Sequence, residues 1–324
     1  MENIISLTHA SDIDGVASAA LIKMKYGVPD SNIFFADYSM KSLLSAGGGI
    51  RKALKPGATL FITDLGINKG LAPEFIRIIK SVKGLNGSVV WFDHHFWEDS
   101  EIRNVAGGCD LAVIGENRRY CATEITYREL SVRGAFARRL SDTVHYSDFN
   151  LRPRERSKRR LIGIYALSIA YYNTLGVNKR RKGLLHIVDT LCKGKFFDGR
   201  MAADASFFER RNIERIAEMA KRLHYAGENI AVGFGPEMQS TQACASISEK
   251  SGRDISIYVN VKAGTCHLRS KKADCSLIAR AFGGGGHPHA CGFSIDKRKY
   301  GGFSEKKKEM LVSEIGKRSA ALGI

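Results

Sequence analysis

No stretch of the 324-residue sequence approaches the ~20 consecutive apolar residues that a membrane-spanning helix requires. The opening MENIISLTHASD has neither the basic n-region nor the apolar h-region of a secretory signal, so the expected location is the cytoplasm. The seven cysteines, at 109, 121, 192, 244, 266, 275 and 291, form no CxxC pair and no regular framework. That spacing argues against a thiolate zinc site or a disulfide scaffold and for reduced, partly buried thiols. Acidic residues are also in short supply: 33 Asp+Glu stand against 50 Lys+Arg, a net charge of +17. Such a surface suits polyanions, with nucleic acid or nucleotides foremost, although charge alone carries no specificity. Much of the excess sits in runs, Arg152 to Arg160, Lys179 to Lys182 and Lys306 to Lys308, which read equally well as solvated helix faces.

What is present is a chain 44% hydrophobic, long enough to bury a sizeable core and to hold two domains. Residues 1 to about 150 alternate strand-like and helix-like segments. Asn3 to Thr8, Ile33 to Ala36, Thr59 to Thr63 and Ser88 to Phe92 read as strands. Val16 to Tyr26 and segments near 39–54, 71–83 and 122–132 read as helices. Alternating βα units predict a parallel sheet covered on both faces. Residues 151–228 read as helices rich in Arg, Lys and Tyr, a helical connection. From 229 to 324, strands at Ile230–Phe234 and Asp254–Val261 around a short helix predict a smaller α/β domain.

The strand ends carry the chemistry. HASDIDG, residues 9 to 15, follows the first strand, Asp64-Leu65-Gly66 follows the third, and the fourth runs into WFDHHFWED at 91–99. In a parallel sheet the carboxyl ends share one edge, so groups more than 80 residues apart in sequence can converge there. Taken singly, Asp12-Ile13-Asp14-Gly15 reads as a helix N-cap and turn, Asp64-Leu65-Gly66 as a strand-ending turn, and one His after Trp91-Phe92 as a structural histidine. Taken together, clustered carboxylates repel one another and lose solvation, a cost that divalent cations remove. Mixed oxygen and imidazole ligation suits Mn²⁺ or a similar first-row ion.

In this order, and with RS at 269–270 followed by GGGGHPHACG at 283–292, these motifs resemble the DHH superfamily of phosphoesterases with its DHH-associated C-terminal domain, whose relatives include nanoRNases, oligoribonucleases and RecJ-like exonucleases. The resemblance implies an α/β fold: an N-terminal parallel-sheet DHH domain over 1–150, a helical connector over 151–228, and a smaller C-terminal α/β substrate-binding domain with the GGGH motif over 229–324. It implies a two-metal site for Mn²⁺, with Mg²⁺ or Co²⁺ as substitutes. His9, Asp12 and Asp64 would hold one ion, and Asp14, Asp64, His94 and Asp148 the other, with Asp64 bridging. Either Asp142 or Asp148 matches the fourth acid; Asp148 is preferred because an apolar residue and then a helical segment follow it, which leaves His145 structural. His95 would face the substrate phosphate and Asp93 would orient its neighbours.

On the substrate side the resemblance points to Arg269 as a forked phosphate or terminal-group clamp beside Ser270. Gly284, Gly285 and Gly286 would form an anion cradle, with His287 and His289 next to the scissile phosphate. An isolated glycine run would instead read as a hinge or helix stop. The expected active site is a cleft between metals and glycine loop. The expected enzyme hydrolyses short single-stranded RNA or DNA to mononucleotides, using a water activated by two cations about 3.5 to 4 Å apart. Alternatives on the same site are a cyclic-dinucleotide phosphodiesterase, a 3′,5′-bisphosphate nucleotide phosphatase, a processive single-strand DNA exonuclease, and a non-enzymatic nucleic-acid-binding module with a vestigial centre. No membrane partner is expected, and a homodimer is left open.

Overall fold

The computed structural model describes residues 3–67, 70–95, 97, 105–114 and 119–324; of the run 91–99, Phe96, Glu98 and Asp99 lie outside them. The chain divides into two compact units, Met1–Ser206 and Phe207–Ile324, with the boundary inside one helix. No helix among the described residues is long and apolar enough to cross a membrane.

The first unit is built on a five-stranded sheet of β1 (Ile4–His9), β2 (Ile33–Ala36), β3 (Thr59–Thr63), β4 (Ser88–Asp93) and β5 (Leu111–Ile114), all parallel, in the order 2-1-3-4-5. The four strands expected from the sequence are there, and β5 adds a fifth whose two leading residues are exposed, which hides it from a search for buried runs. Every residue of β1 is buried, as a central strand covered on both faces requires. The order reverses between β1 and β3, so a switch point opens at their carboxyl ends, where open α/β sheets take ligands.

Among the described residues, three α-helices of twelve residues or more link the strands. In α1 (Ile13–Tyr26) small residues let the helix sit deep, and every residue from Ile13 to Ile22 is buried. It stops at Gly27, whose φ of 66° only glycine adopts freely and whose N–H bonds to Lys23 O. α2 (Met40–Ala53) follows β2. α3 (Ala72–Lys83) buries Phe75, Ile78, Ile79 and Val82, a stripe at helical spacing, and packs Phe75 on Trp91 with ring centroids 4.8 Å apart.

The helices that follow, α4 (Ala122–Glu129), α5 (Ala135–Asp148), α6 (Arg156–Asn173) and α7 (Val177–Cys192), also belong to the first unit. The stretch read from sequence as a connector is therefore divided: α6 and α7 are part of the first unit's structure. α7 is held to α1 and the loop after it by Lys23, which pairs at 2.5 Å with Asp189 and also bonds Asp30. α8 (Gly199–Met219) contains the boundary.

The second unit holds a six-stranded sheet in the order β10-β11-β9-β8-β7-β6: β6 (His224–Tyr225), β7 (Ile230–Gly235), β8 (Ile255–Asn260), β9 (Thr265–Arg269), β10 (Gly285–His287) and β11 (Ala290–Ser294). Only β7 and β8 are parallel, with α9 (Ser240–Ser251) as their crossover. The helices α10 (Ser276–Ala281), α11 (Lys297–Tyr300) and α12 (Glu305–Ala321) complete it. Ile255, Ile257 and Val259 join one apolar cluster and Tyr258 another, so β8 is buried on both faces.

Candidate functional site

Between His9, the last residue of β1, and Ile13, the first of α1, the chain has three residues in which to turn. Asp12 makes the turn possible by capping the helix: its Oδ1 accepts from the N–H groups of Asp14 at 3.1 Å and Gly15 at 3.3 Å. Its other oxygen lies 3.0 Å from His9 Nδ1. The structural role and the site role thus fall on the same carboxylate. The turn closes only because Gly15 has no side chain, since a Cβ there would stand 2.3 Å from the His9 carbonyl oxygen. Thr8 Oγ1 donates to Gly15 O at 2.6 Å and receives Thr63 Oγ1 at 2.9 Å, which ties the turn to β3. We expect Gly15→Ala to lower stability by about 1–3 kcal/mol through backbone overpacking. Thermal unfolding of the metal-free protein checks this, and an unchanged Tm contradicts the close approach.

Asp64 leaves β3 with a φ of 56°, a left-handed conformation that costs a non-glycine residue roughly 1–3 kcal/mol. Its carboxylate, 1% exposed, points its two oxygens at different imidazoles: Oδ2 is 3.4 Å from His9 Nδ1 and Oδ1 is 3.4 Å from His94 Nε2. Asp148 Oδ2 at 3.6 Å and Asp14 Oδ2 at 3.7 Å complete the ring of oxygens about His94 Nε2. Asp14 is pinned from behind by the start of α4, where Ala122 N–H donates to Oδ2 at 2.8 Å and Thr123 N–H to Oδ1 at 2.7 Å. The positive end of that helix suits a carboxylate.

Three sets of ligand atoms result, each within 4.8 Å: His9, Asp12 and Asp64; Asp64, His94 and His95; and Asp14, His94 and Asp148. All six residues read from sequence as metal ligands are brought together, with Asp64 and His94 common to two sets. Burial first, then the charges of Asp12 and Asp14, push the Asp64 carboxyl up to about 7; burial and then Asp14 push Asp148 up to about 8. Burial works to lower His94, but the close oxygen of Asp64 and the charges of Asp14 and Asp148 outweigh it and raise the imidazole to about 10. His9 is likewise raised against its burial by Asp12 and Asp64, while His9 holds Asp12 below the usual carboxylate range despite desolvation.

His9 Nδ1, Asp64 Oδ2 and His94 Nε2 are buried, yet none makes a well-directed hydrogen bond. Orphaned polar atoms of this kind are costly, and their convergence from three strand ends fits a cation site. The donor set is carboxylate and imidazole, with no cysteine in any of the three sets, which fits Mn²⁺, Mg²⁺ or Co²⁺ better than thiolate-bound zinc.

Asp93 takes no part in these sets. Fully buried, it accepts from His95 Nδ1 at 2.7 Å on one oxygen and from His95 N–H at 3.2 Å and Trp97 Nε1 at 2.9 Å on the other. Asp148 is the final residue of α5, so a helix precedes it rather than follows closely; the packing of α5 on α1 and α4 brings it to His94, whereas Asp142 pairs with Lys158 at 2.5 Å. His145 Nδ1 lies 2.8 Å from Glu124 Oε2, a structural contact.

Tyr38 was missed. Its hydroxyl accepts the Gly66 N–H at 3.1 Å and stands 3.4 Å from both ring nitrogens of His95, while its ring lies 5.0 Å from that of His9. Beside it Asp37 receives both Nη atoms of Arg180, at 2.5 and 2.7 Å, and Ser11 Oγ at 2.8 Å. The signal was available, because Asp37-Tyr38 follows the end of β2 just as the other motifs follow β1, β3 and β4.

In the second unit, Arg269 ends β9 and donates to Leu268 O at 2.9 Å and Thr241 Oγ1 at 3.4 Å. Ser270 Oγ is 3.3 Å from His289 Nδ1. The glycine run is not an open loop. Gly283 (φ 76°) terminates α10, and Gly285–His287 form β10, an edge strand paired antiparallel with β11. A Cβ on Gly284 would stand 2.2 Å from Gly292 O. Gly285, Gly286, His287 and His289 are exposed, so the outward edge of β10 and the two imidazoles face solvent.

Residues 228–317 match the family model of the DHHA1 domain. That part of the chain is a DHHA1 domain. Two solved structures share its fold. An exopolyphosphatase-related protein from Bacteroides fragilis is 12% identical over 99% of this chain and 93% of its own, with a TM-score of 0.54. A pGpG-specific phosphodiesterase from Vibrio cholerae is 13% identical over 97% of this chain and 99% of its own, with a TM-score of 0.53. No curated protein matches this chain in sequence.

Proposed function

We propose that this protein is a phosphodiesterase that hydrolyses short single-stranded oligonucleotides to mononucleotides with two Mn²⁺ ions. The observation that carries the reading is Asp64, whose two oxygens serve two imidazole-carboxylate clusters at the switch point of the sheet. His9, Asp12 and Asp64 would hold one ion, and Asp14, Asp64, His94 and Asp148 the other. When bound, the pair would supply a hydroxide near neutral pH and offset charge on the phosphoryl oxygens.

The chain's own residues do the rest. Asp93 accepts the Nδ1–H of His95 at 2.7 Å, which fixes the ring and leaves Nε2 3.4 Å from the Tyr38 hydroxyl. Burial opposes a charge on His95, but Asp93 and Asp64 raise its pKa, which favours the half-exposed ring as donor of the proton that a departing oxygen needs. Arg269 offers a planar fork to a phosphate or terminal group, and the exposed His287 and His289 add donors. A phosphomonoester and a free hydroxyl are the products, with no covalent enzyme intermediate.

The linear dinucleotide pGpG, named for the Vibrio cholerae structure, belongs in the first substrate panel with short RNA, short DNA, cyclic dinucleotides and adenosine bisphosphate. Release of mononucleotides from the linear substrates in Mn²⁺, and none in EDTA, is the expected result. Cleavage of the cyclic or bisphosphate substrates alone overturns the reading. Arg269→Ala should raise KM roughly tenfold or more and leave kcat near wild type, since a charge-assisted hydrogen bond is worth about 1.5–3 kcal/mol. A fall in kcat with KM unchanged would move Arg269 out of the binding role.

A further inference from the structure

The arginine-rich run at 152–160 has no part in the metal centre, yet it borders a cavity of about 420 Å³ in the first unit, within the size range of small-ligand sites. α5, the start of α6 and the segment after α7 form its walls. Two half-buried phenylalanines line it, each with a guanidinium over its face: Arg139 at 5.2 Å from the Phe196 centroid and Arg160 at 5.8 Å from that of Phe197. Phe136 packs on Phe196 at 4.6 Å, holding that ring in place. Neither Arg139 nor Arg160 has a carboxylate within ion-pair reach among the described residues. Asp142 and Glu155 also line the cavity, but Asp142 is paired with Lys158 at 2.5 Å and Glu155 lies 4.0 Å from the same amine.

A merely solvated basic face does not need this arrangement. Rings interleaved with unpaired arginines, in a recess wide enough for a base, make the stacking and backbone-neutralising surface of single-strand nucleic-acid sites. The bordering Arg152, Arg154 and Arg156 extend the positive charge along the surface. We propose that this cavity is an accessory site for single-stranded nucleic acid, taking a base against Phe197 and the flanking phosphates on Arg139 and Arg160. Its relation to turnover rests on the phosphodiesterase reading, but binding there does not. Arg139 and Asp148 lie on the same helix, nine residues and about half a turn around its axis apart. On this proposal a strand longer than a dinucleotide occupies both the metal centre and the cavity.

The test uses the full chain in Mn²⁺ with hydrolysis-resistant phosphorothioate octanucleotides, read by fluorescence anisotropy, in RNA and DNA arms that identify the favoured strand. Phe197→Ala and the surface change Arg160→Glu should each weaken octanucleotide binding roughly tenfold. Arg160→Glu should also flatten the salt dependence by about one unit of slope. Dinucleotide hydrolysis should stay at the wild-type rate in both. Unchanged octanucleotide affinity in both variants overturns the site, and an abasic strand that binds as tightly as the octanucleotide overturns the stacking against Phe197. If wild type cleaves no dinucleotide while the affinity losses appear, the proposed activity fails and the accessory site stands.

Discussion

Asp64→Asn should cut turnover of every substrate by about a thousandfold or more, the scale on which a pre-organised group stabilising transition-state charge is lost. The substitution keeps the size of the side chain and tolerates the φ of 56°, so a large loss reports the charge and the two oxygens that face His9 and His94 rather than a misfolded turn. Stability should move in the opposite direction. Metal-free wild type buries Asp64 beside Asp12 and Asp14, which is why its carboxyl is pushed up to about 7, and an amide removes that repulsion. We therefore expect Asp64→Asn to melt higher than wild type in EDTA at about pH 8, and to gain much less from added Mn²⁺. Wild-type activity in the variant would refute the bridging role. An unaltered melting temperature in EDTA would refute the repulsion.

The metal-free protein should lose stability as pH rises from about 6 to about 9, and Mn²⁺ should reverse that trend. Asp64 and Asp148, up at about 7 and about 8 chiefly through burial, bind protons more tightly in the folded state than in the unfolded chain. His94, raised to about 10 by its carboxylates against its burial, does the same. A group whose pKa is raised by folding contributes stability that is full below its unfolded value and is lost as pH climbs through the folded one. All three therefore act in the same direction across this window. Metal binding must displace those protons, so Mn²⁺ affinity should increase steadily over the same range. Melting temperatures at several pH values, with EDTA and with Mn²⁺, measure both slopes. A metal-free Tm that rises with pH would contradict the protonated cluster.

Much of this was readable in one dimension. Strand-end acids and histidines were visible because βα alternation assigns them to the same sheet edge whatever the loops do. Asp12 illustrates why local reading undersells a residue: one oxygen caps α1 and the other faces His9, so a capping motif and a ligand motif are the same letters. The glycine run is a related case. Four glycines promise an open loop, but their backbone hydrogen-bonding capacity was taken up by the end of α10 and by pairing with β11, a choice that depends on the strand arriving from elsewhere. β5 was missed because its exposed first half lacks the apolar run of an interior strand.

By itself the sequence determined the parallel sheet, the edge at which the acids and histidines gather and the oxygen-imidazole character of that cluster, because hydrophobic period and residue type act locally. Only the folded chain decided that Asp148 rather than Asp142 meets His94, that Tyr38 joins His95, and that Asp14 is held by the start of α4. Those contacts join segments 54 to 109 residues apart, or turn on how one helix packs against its neighbours. Which side chain of a helix faces a given partner is set by that packing, and no local pattern encodes it.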